Sequence, residues 1–392
     1  MQTARVTPLN ARLLFTLFAT VAAVSPLSAQ DQAKRVSSDP ARRPPTADFY
    51  FIDVTLGNAT LIVSPAGETM LLDTSTARTA GRVFETAKAA GVQRIDHLLL
   101  THYHDDHFGA AAALAEKIPV GEFIDHGPSV ESNKDDAWWQ ARRGPWFKPG
   151  KGQLYDESVA AYEKARAKSR HRIAKAGDVL PVKGLLVQVL TAGGKVIEKP
   201  VKGAGGANAV CSSFERRAPD DAEDAQSIGV LVTFGKFRFV YLGDLSWNES
   251  GALFCPEDKV GPVDAYVVTH HAQSFPRSMG DYYWGLSACP PCELAALRPR
   301  VAILSLGSFG HRGGDDEAIK VVRNSPGLED LWQTEKVIEG GEREHNVPDD
   351  FIAFVGRRDD TARFIKLSAN ADGSFTVFNS RSQFSKHYPA RD

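Results

Sequence analysis

The chain has 392 residues, of which 43% are hydrophobic and 24% charged, with a formal net charge of −2. This composition excludes a disordered or fibrous chain and leaves ample apolar material for a large core. It also lacks the basic excess that a nucleic-acid binder shows.

The first predicted element is a leader. Arg5 and Arg12 precede the apolar run Leu13 to Val24, and Ser25-Pro26-Leu27-Ser28-Ala29 supplies small residues for cleavage after Ala29. Positive, then apolar, then small is the order of a secretory signal peptide. The run is shorter than the ~20 residues a membrane span needs, and no other segment is long and apolar enough to span. Residues 1–29 are therefore read as a signal peptide, exporting the chain to the periplasm or beyond the cell. Removing them takes away two arginines and no acid, so the mature charge is two units more negative. Residues 30–47 are polar, with Pro and Arg, and read as a flexible lead-in. Residues 48–392 read as one domain.

Strands are expected at Phe49–Val54, Thr60–Val63 and Thr69–Leu72, with the Pro65-Ala66-Gly67 turn between the last two. Asp73 ends the third. A helix from Ala80 to Ala90 stops at Gly91, the apolar run Ile95–Leu100 is a buried strand, and Gly109–Glu116 is the next helix. Val120–Ile124 is another strand. Residues 127–177 interrupt this rhythm with Trp138, Trp139, Trp146 and a charged helical pattern from Asp156 to Lys175, and are read as an insertion. Further strands follow at Leu185–Leu190, Ile228–Phe234, Phe237–Leu242, Ala265–Val268 and Val301–Leu304. A β-rich extension from about residue 345 adds Phe351–Val355, Arg363–Leu367 and Phe375–Phe378. Alternating strands and helices indicate an α/β protein.

The chemistry is concentrated directly after the strand Ile95–Leu100, in the run His102-Tyr103-His104-Asp105-Asp106-His107. Histidine and carboxylate bind divalent metals. In an extended segment, side chains two apart share a side, which brings His102 and His104 together. Asp106 and His107 sit where the chain turns into a helix, so a second pair can aim at a neighbouring point. Two ions ~3.5–4 Å apart can hold a shared hydroxide and clamp substrate oxygens.

This run resembles the His-x-His-x-Asp-His signature of the metallo-β-lactamase superfamily. The resemblance extends to Asp73, like that family's early strand-end aspartate that supports the metal loop. It also covers Tyr241-Leu242-Gly243-Asp244, like its Gly-Asp motif, and Val268-Thr269-His270-His271, like its final strand-end histidine. It implies an αββα sandwich of two mixed β-sheets packed between helical layers. Within the superfamily, Phe51-Ile52-Asp53-Val54, the double histidine, Gly307-Ser308-Phe309-Gly310-His311 and Ser227 resemble the hydrolase domain of the DNA-uptake channel protein ComEC and its stand-alone exported relatives. Departures are Asn58 in place of an acid, Thr74-Ser75 in place of a small residue and Gly, and Ala272 in place of Gly.

The resemblance implies two divalent metals, zinc or manganese, held by His102, His104, Asp106, His107, Asp244 and a late histidine. His270 is taken as that ligand and His271 as a catalytic group, the reverse remaining open. His126 is the preferred middle histidine because it ends a strand; His171, in a Lys/Arg-rich helical pattern, is read as surface. Asp106, His271 and His311 are the candidate catalytic groups, His311 as a proton donor on a Gly-rich loop. Asp73 and Ser227 support the site.

The implied reaction is hydrolysis of a phosphodiester by a hydroxide formed at the metals, with a small molecule or a nucleic acid as substrate. The alternatives are a lactone, β-lactam or thioester hydrolase, or a non-catalytic metal- or ligand-binding protein on a retired scaffold. Enzymes of the superfamily that open β-lactams generally lack the bridging aspartate that Asp244 supplies. The tryptophan-bearing insertion reads as a satellite core under a long loop, with stacking on a base or sugar as the alternative. Four cysteines in an exported chain permit disulfides: Cys289 with Cys292 locally, and Cys211 with Cys255 as a pairing the sequence leaves open.

Overall fold

The computed structural model describes residues 45–143, 148–275, 285–286, 290–305, 314–337, 345–356 and 361–391. The expected leader, most of the lead-in, Trp146, Cys289 and the His311 loop lie outside them.

The first strands are Ala47–Ile52 (β1), Thr60–Val63 (β2), Thr69–Leu72 (β3), Ile95–Leu99 (β4), Val120–Asp125 (β5) and Arg170–Ile173 (β6). Val179–Leu180 (β7), Leu186–Ala192 (β8), Lys195–Val196 (β9), Gly229–Phe234 (β10), Phe237–Tyr241 (β11) and Ala265–Val267 (β12) follow. The remainder are Ser274–Phe275 (β13), Gly285–Leu286 (β14), Val301–Leu304 (β15), Asp330–Glu335 (β16), Ile352–Phe354 (β17), Phe364–Ala369 (β18), Phe375–Asn379 (β19) and Ser385–Tyr388 (β20).

Among the described residues these strands build two nine-stranded sheets and one isolated pair, β13 with β14. The first sheet has the order β20-β19-β18-β1-β2-β3-β4-β5-β6. It is antiparallel up to β3 and parallel from β3 to β6. The second runs β17-β16-β15-β12-β11-β10-β8-β7, with β9 beside β8. It is parallel from β17 to β11 and antiparallel beyond.

Alternation along each strand assigns side chains to layers. Phe49 and Phe51 of β1 turn inward with Ile62 and Met70, and meet Val187, Val230, Phe237 and Phe239 of the second sheet. The Phe49 and Phe239 rings lie 4.9 Å apart. Tyr50 and Ile52 turn outward and pack with Val83, Leu114 and Tyr162, which belong to the helices Ala80–Ala89, Ala111–Ala115 and Lys151–Arg166. On the far side, Leu231, Val240 and Tyr266 pack with Leu253, Leu297 and Ile319 from the helices Trp247–Phe254, Pro290–Leu297 and Asp316–Arg323. The layers are helix, sheet, sheet, helix: the expected αββα sandwich. Among the described residues no helix is long and apolar enough to cross a membrane.

Three expectations change. The segment beyond residue 345 is no appendage: β17 joins the second sheet, and β18 pairs with β1 inside the first. The charged pattern expected to be helical to Lys175 stops at Arg166, and Arg170–Ile173 forms the edge strand β6. An edge strand tolerates the exposed Arg170 and His171, because one face and one edge meet water. Cys211 and Cys255 are bonded, with Cα atoms 5.5 Å apart; Cys292 is also in a disulfide. Trp139 is buried against Tyr155, with ring centroids 5.2 Å apart, and belongs to the same outer core as Tyr50 and Ile52 rather than to a satellite core.

Candidate metal centre

The histidine run leaves the carboxyl end of β4, beside the ends of β3, β11 and β12. Carboxyl ends of parallel strands are where open α/β sheets place their ligands. His104 precedes a one-turn helix, Asp105–Phe108. Thr74 and Ser75 both donate backbone hydrogen bonds to the His107 carbonyl, and Asn58 donates to that of Asp106. Gly57, at φ +83°, lies against this turn; a Cβ there would come within 1.7 Å of the Asp106 carbonyl oxygen.

Fixed acceptors behind the rings select which nitrogen of each histidine faces inward. The Thr101 hydroxyl donates to Asp73 Oδ2 at 2.8 Å. Its oxygen is then left to accept from His102 Nδ1, 3.0 Å away. His107 Nδ1 donates to Asp73 Oδ2 at 2.8 Å, and His271 Nδ1 to the Ser305 carbonyl at 3.1 Å. All three rings therefore turn Nε2 to the centre, as metal-ligating histidines do when backed this way. His104 is turned the other way: Nε2 is 3.4 Å from Glu131 Oε1, and Nδ1 faces inward.

These inward nitrogens face one another. His102 Nε2 is 3.1 Å from His104 Nδ1, and His107 Nε2 is 3.2 Å from His271 Nε2. Asp244 Oδ2 lies among them, 3.2 Å from His107, 3.5 Å from His271, 3.6 Å from His270 and 4.0 Å from His102. Its other oxygen, Oδ1, is buried without a hydrogen-bond partner among the described residues. Nitrogens set this close around a buried carboxylate repel unless a proton or a metal ion lies between them. The donor set therefore fits divalent metal ions. His102, His107 and Asp244 form one group that could hold an ion, and Asp106, His107 and His271 another.

Asp224 adds a donor that the sequence reading missed. Its Oδ1 is 2.9 Å from His104 Nδ1 and 3.5 Å from His102 Nε2. It sits on a short 3-10 helix, Glu223–Gln226, just before β10. The adjacent Glu223 is fully buried and holds this helix in place. Tyr103 N and His126 Nε2 donate to its Oε2, and Ser129 Oγ and Val130 N donate to its Oε1, all within 3.0 Å.

The double histidine is delivered by an unusual turn. His270, His271 and Ala272 have φ of +50°, +55° and +53°, the left-handed region that costs an ordinary residue about 1–2 kcal/mol. In a strand successive side chains diverge; here the turn lets both imidazoles reach Asp244. Thr269 precedes it and is fixed by Tyr266 and by Glu293, a buried carboxylate that also takes the Ser250 hydroxyl. Ser75 likewise has φ +62°. Two of the three departures from the family pattern therefore put a side chain where glycine would relieve strain.

Burial pushes His102 well below the usual histidine range, and the neighbouring His107 and His104 push it further. Burial acts in the same direction on His104 and His107 but is outweighed. Asp224 and Glu131 hold His104 well above that range, and Asp244 and Asp73 do so for His107. Burial raises the Asp244 carboxyl, yet His107, His270 and His271 hold it well below the ordinary value. The carboxylates thus demand positive charge at the centre.

Residues 52–207 match the profile of the metallo-beta-lactamase superfamily. The match is confined to that segment, 156 of the 392 residues, which is thereby similar to the superfamily. No curated protein matches it. Among solved structures it is similar to CmlA, a diiron beta-hydroxylase from Streptomyces venezuelae: 15% identity, 70% of this chain, 49% of that chain, TM-score 0.38. A mutant CmlA beta-hydroxylase gives 15%, 79%, 59% and 0.41. MEM-A1, a subclass B3 metallo-beta-lactamase from a soil metagenome library, gives 14%, 67%, 77% and 0.32. This chain thus spans less than two thirds of the length of either CmlA chain.

The expected site residues separate into three sets. His102, His104, Asp106, His107, Asp244, His270 and His271 converge on one centre. His271, rather than His270, shares a ligand group with Asp106 and His107, while His270 groups with Asp224 and Asp244. Asp73 stands behind the centre, accepting from Thr101, His107 and Tyr241; Ser227 Oγ is 3.5 Å from His102 Nδ1. His126 departs from its expected place: its Nε2 is spent on Glu223 at 2.9 Å. His171, on β6, contacts Asp125 at the sheet edge. His311 lies outside the described residues.

Proposed function

We propose that this protein is an exported metal-dependent hydrolase that cleaves phosphodiesters, of the branch that resembles the ComEC hydrolase domain. The observation that carries the reading is Asp244 Oδ2, set between two histidine groups so that one carboxylate can serve two divalent ions. His102 and His104 would hold one ion, and Asp106, His107 and His271 the other. When bound, the ions activate water near neutral pH and stabilise negative charge developing on the substrate.

The chain's own residues do the rest. Asp73, Thr101 and the Ser305 carbonyl engage Nδ1 of His107, His102 and His271, so Nε2 is the atom each ring aims at the centre. Asp106 is the least buried acid at the centre, its side chain 18% exposed, so it stands where a substrate oxygen can approach. His311 is proposed as proton donor to the leaving group. A carboxylate shared between two ions supports phosphodiester over β-lactam chemistry, on the resemblance described above. Export is supported by the leader pattern at residues 1–29 and by the Cys211–Cys255 disulfide, since such bonds persist in oxidising compartments.

The test is metal content and hydrolysis of bis(p-nitrophenyl) phosphate on one purified sample, beside a His102→Ala, His104→Ala variant. Two bound ions, with turnover lost in the variant, are expected. Metal without turnover moves the reading to carbonyl substrates such as lactones; no bound metal overturns it.

A further inference from the structure

The expected metal set contains a middle histidine, and neither His126 nor His171 reaches the centre. The place beside His102 and His104 is taken by Asp224. Its side chain is 8% exposed, and its Oδ1 forms a ligand-sized group with His102 and His104, and another with Asp244 and His270. We propose that Asp224 is a metal ligand standing in for that histidine, so that the His102–His104 half holds its ion with two imidazoles and two carboxylates and is shifted toward the harder manganese ion relative to a three-histidine site. The proposal rests on the hydrolase reading only in requiring that the centre bind metal.

Three observations place Asp224 there by construction. The 3-10 helix that bears it is anchored by Glu223, which accepts four hydrogen bonds, one of them from Tyr103 N inside the histidine run itself. His126, the alternative ligand, is consumed by the same anchor. His104 is turned so that Nδ1 faces Asp224 while Glu131 backs Nε2, the arrangement of a ligand and its outer partner.

Ligand chemistry sets the consequence. Imidazole suits zinc, copper, iron and nickel, whereas carboxylate suits manganese and other hard ions. Replacing one imidazole by a carboxylate leaves zinc the tighter binder in absolute terms, as the divalent series requires, but narrows its lead. Asp224 therefore acts on the ratio of zinc to manganese affinity.

The experiment measures Zn2+ and Mn2+ affinities and stoichiometry on the metal-free full chain, with Asp224→His, Asp224→Glu and Asp224→Asn variants, alongside thermal unfolding. Asp224→Asn should weaken one of the two ions about tenfold or more, the scale seen when an orienting or ligating group at a metal is lost. Asp224→His should raise the zinc-to-manganese ratio about tenfold, while Asp224→Glu keeps it near the wild-type value. If Asp224→Asn does not fold, the His and Glu variants decide alone. Wild-type chain with two ions and an unchanged ratio in Asp224→His overturns this proposal and leaves the hydrolase reading standing; wild-type chain that binds no ion overturns both.

Discussion

The two halves of the centre are oriented by different parts of the molecule. His107 is held by Asp73, a fully buried carboxylate at the end of β3 that also takes the Tyr241 hydroxyl from β11 and two hydrogen bonds from Thr101. That half is anchored in the sheets themselves. His104 faces Glu131 and Asp224, both on connecting segments, and the tie between those segments is Glu223. One half inherits its geometry from strand register. The other is assembled by a single buried acid bridging loops, so it can change its donors without disturbing the sandwich.

Removing each anchor separates the two cases. The largest effect is expected for Asp73→Ala. It strands a buried imidazole, a phenol and a threonine, and breaking a buried pair costs about 3–5 kcal/mol. Urea denaturation of the metal-free chain would show it, and a loss under 1 kcal/mol would contradict an anchor shared with the sheets. Glu223→Gln should cost less stability, because the amide keeps an acceptor oxygen. It should weaken the ion at the His102–His104 half by about tenfold and leave the other ion's affinity unchanged; calorimetric titration of both ions would reveal equal weakening if the halves are not independent. The smallest effect is expected for Ala272→Gly. Relief of the left-handed strain, about 1–2 kcal/mol, is offset by unfolded-chain entropy of about 0.4–1 kcal/mol. The net gain is roughly 0.5–1 kcal/mol, read as a raised unfolding midpoint.

The same contrast explains how much could be read from the sequence. The sheet-anchored half is visible because its donors follow strands: Asp73, His102 to His107, Asp244 and His270-His271 each close an apolar run. Strands such as Thr60–Val63, Thr69–Leu72 and Val301–Leu304 fall where alternation and β-branched residues put them. Asp224 leaves no such trace. An acid pair before a strand reads as a polar turn, and only the folded chain shows that Glu223 points one way and Asp224 the other. His126 fails for a related reason: ending a strand beside the site gives it access, but a buried carboxylate nearby claims the ring. The choice between His270 and His271 depends on a left-handed turn that residue identities do not announce, since Ala272 stands where glycine would have signalled it. The segment beyond residue 345 was legible as strands, but its partner, β1, lies more than three hundred residues earlier, and short-range patterns carry no information about pairing at that distance.

That pairing bears on the order in which the molecule can form. Asp48 lies opposite Ser368, and Phe51 opposite Ile365. A growing chain therefore presents β1 with one bare edge until almost all of its length is available, and an open edge invites pairing with other chains. Closing so large a loop also carries an entropic cost before any contact repays it. Completion of the first sheet is thus expected to be a late event, and a chain shortened before Phe364 would keep every candidate ligand yet expose a sticky strand, failing by self-association rather than by loss of its chemistry.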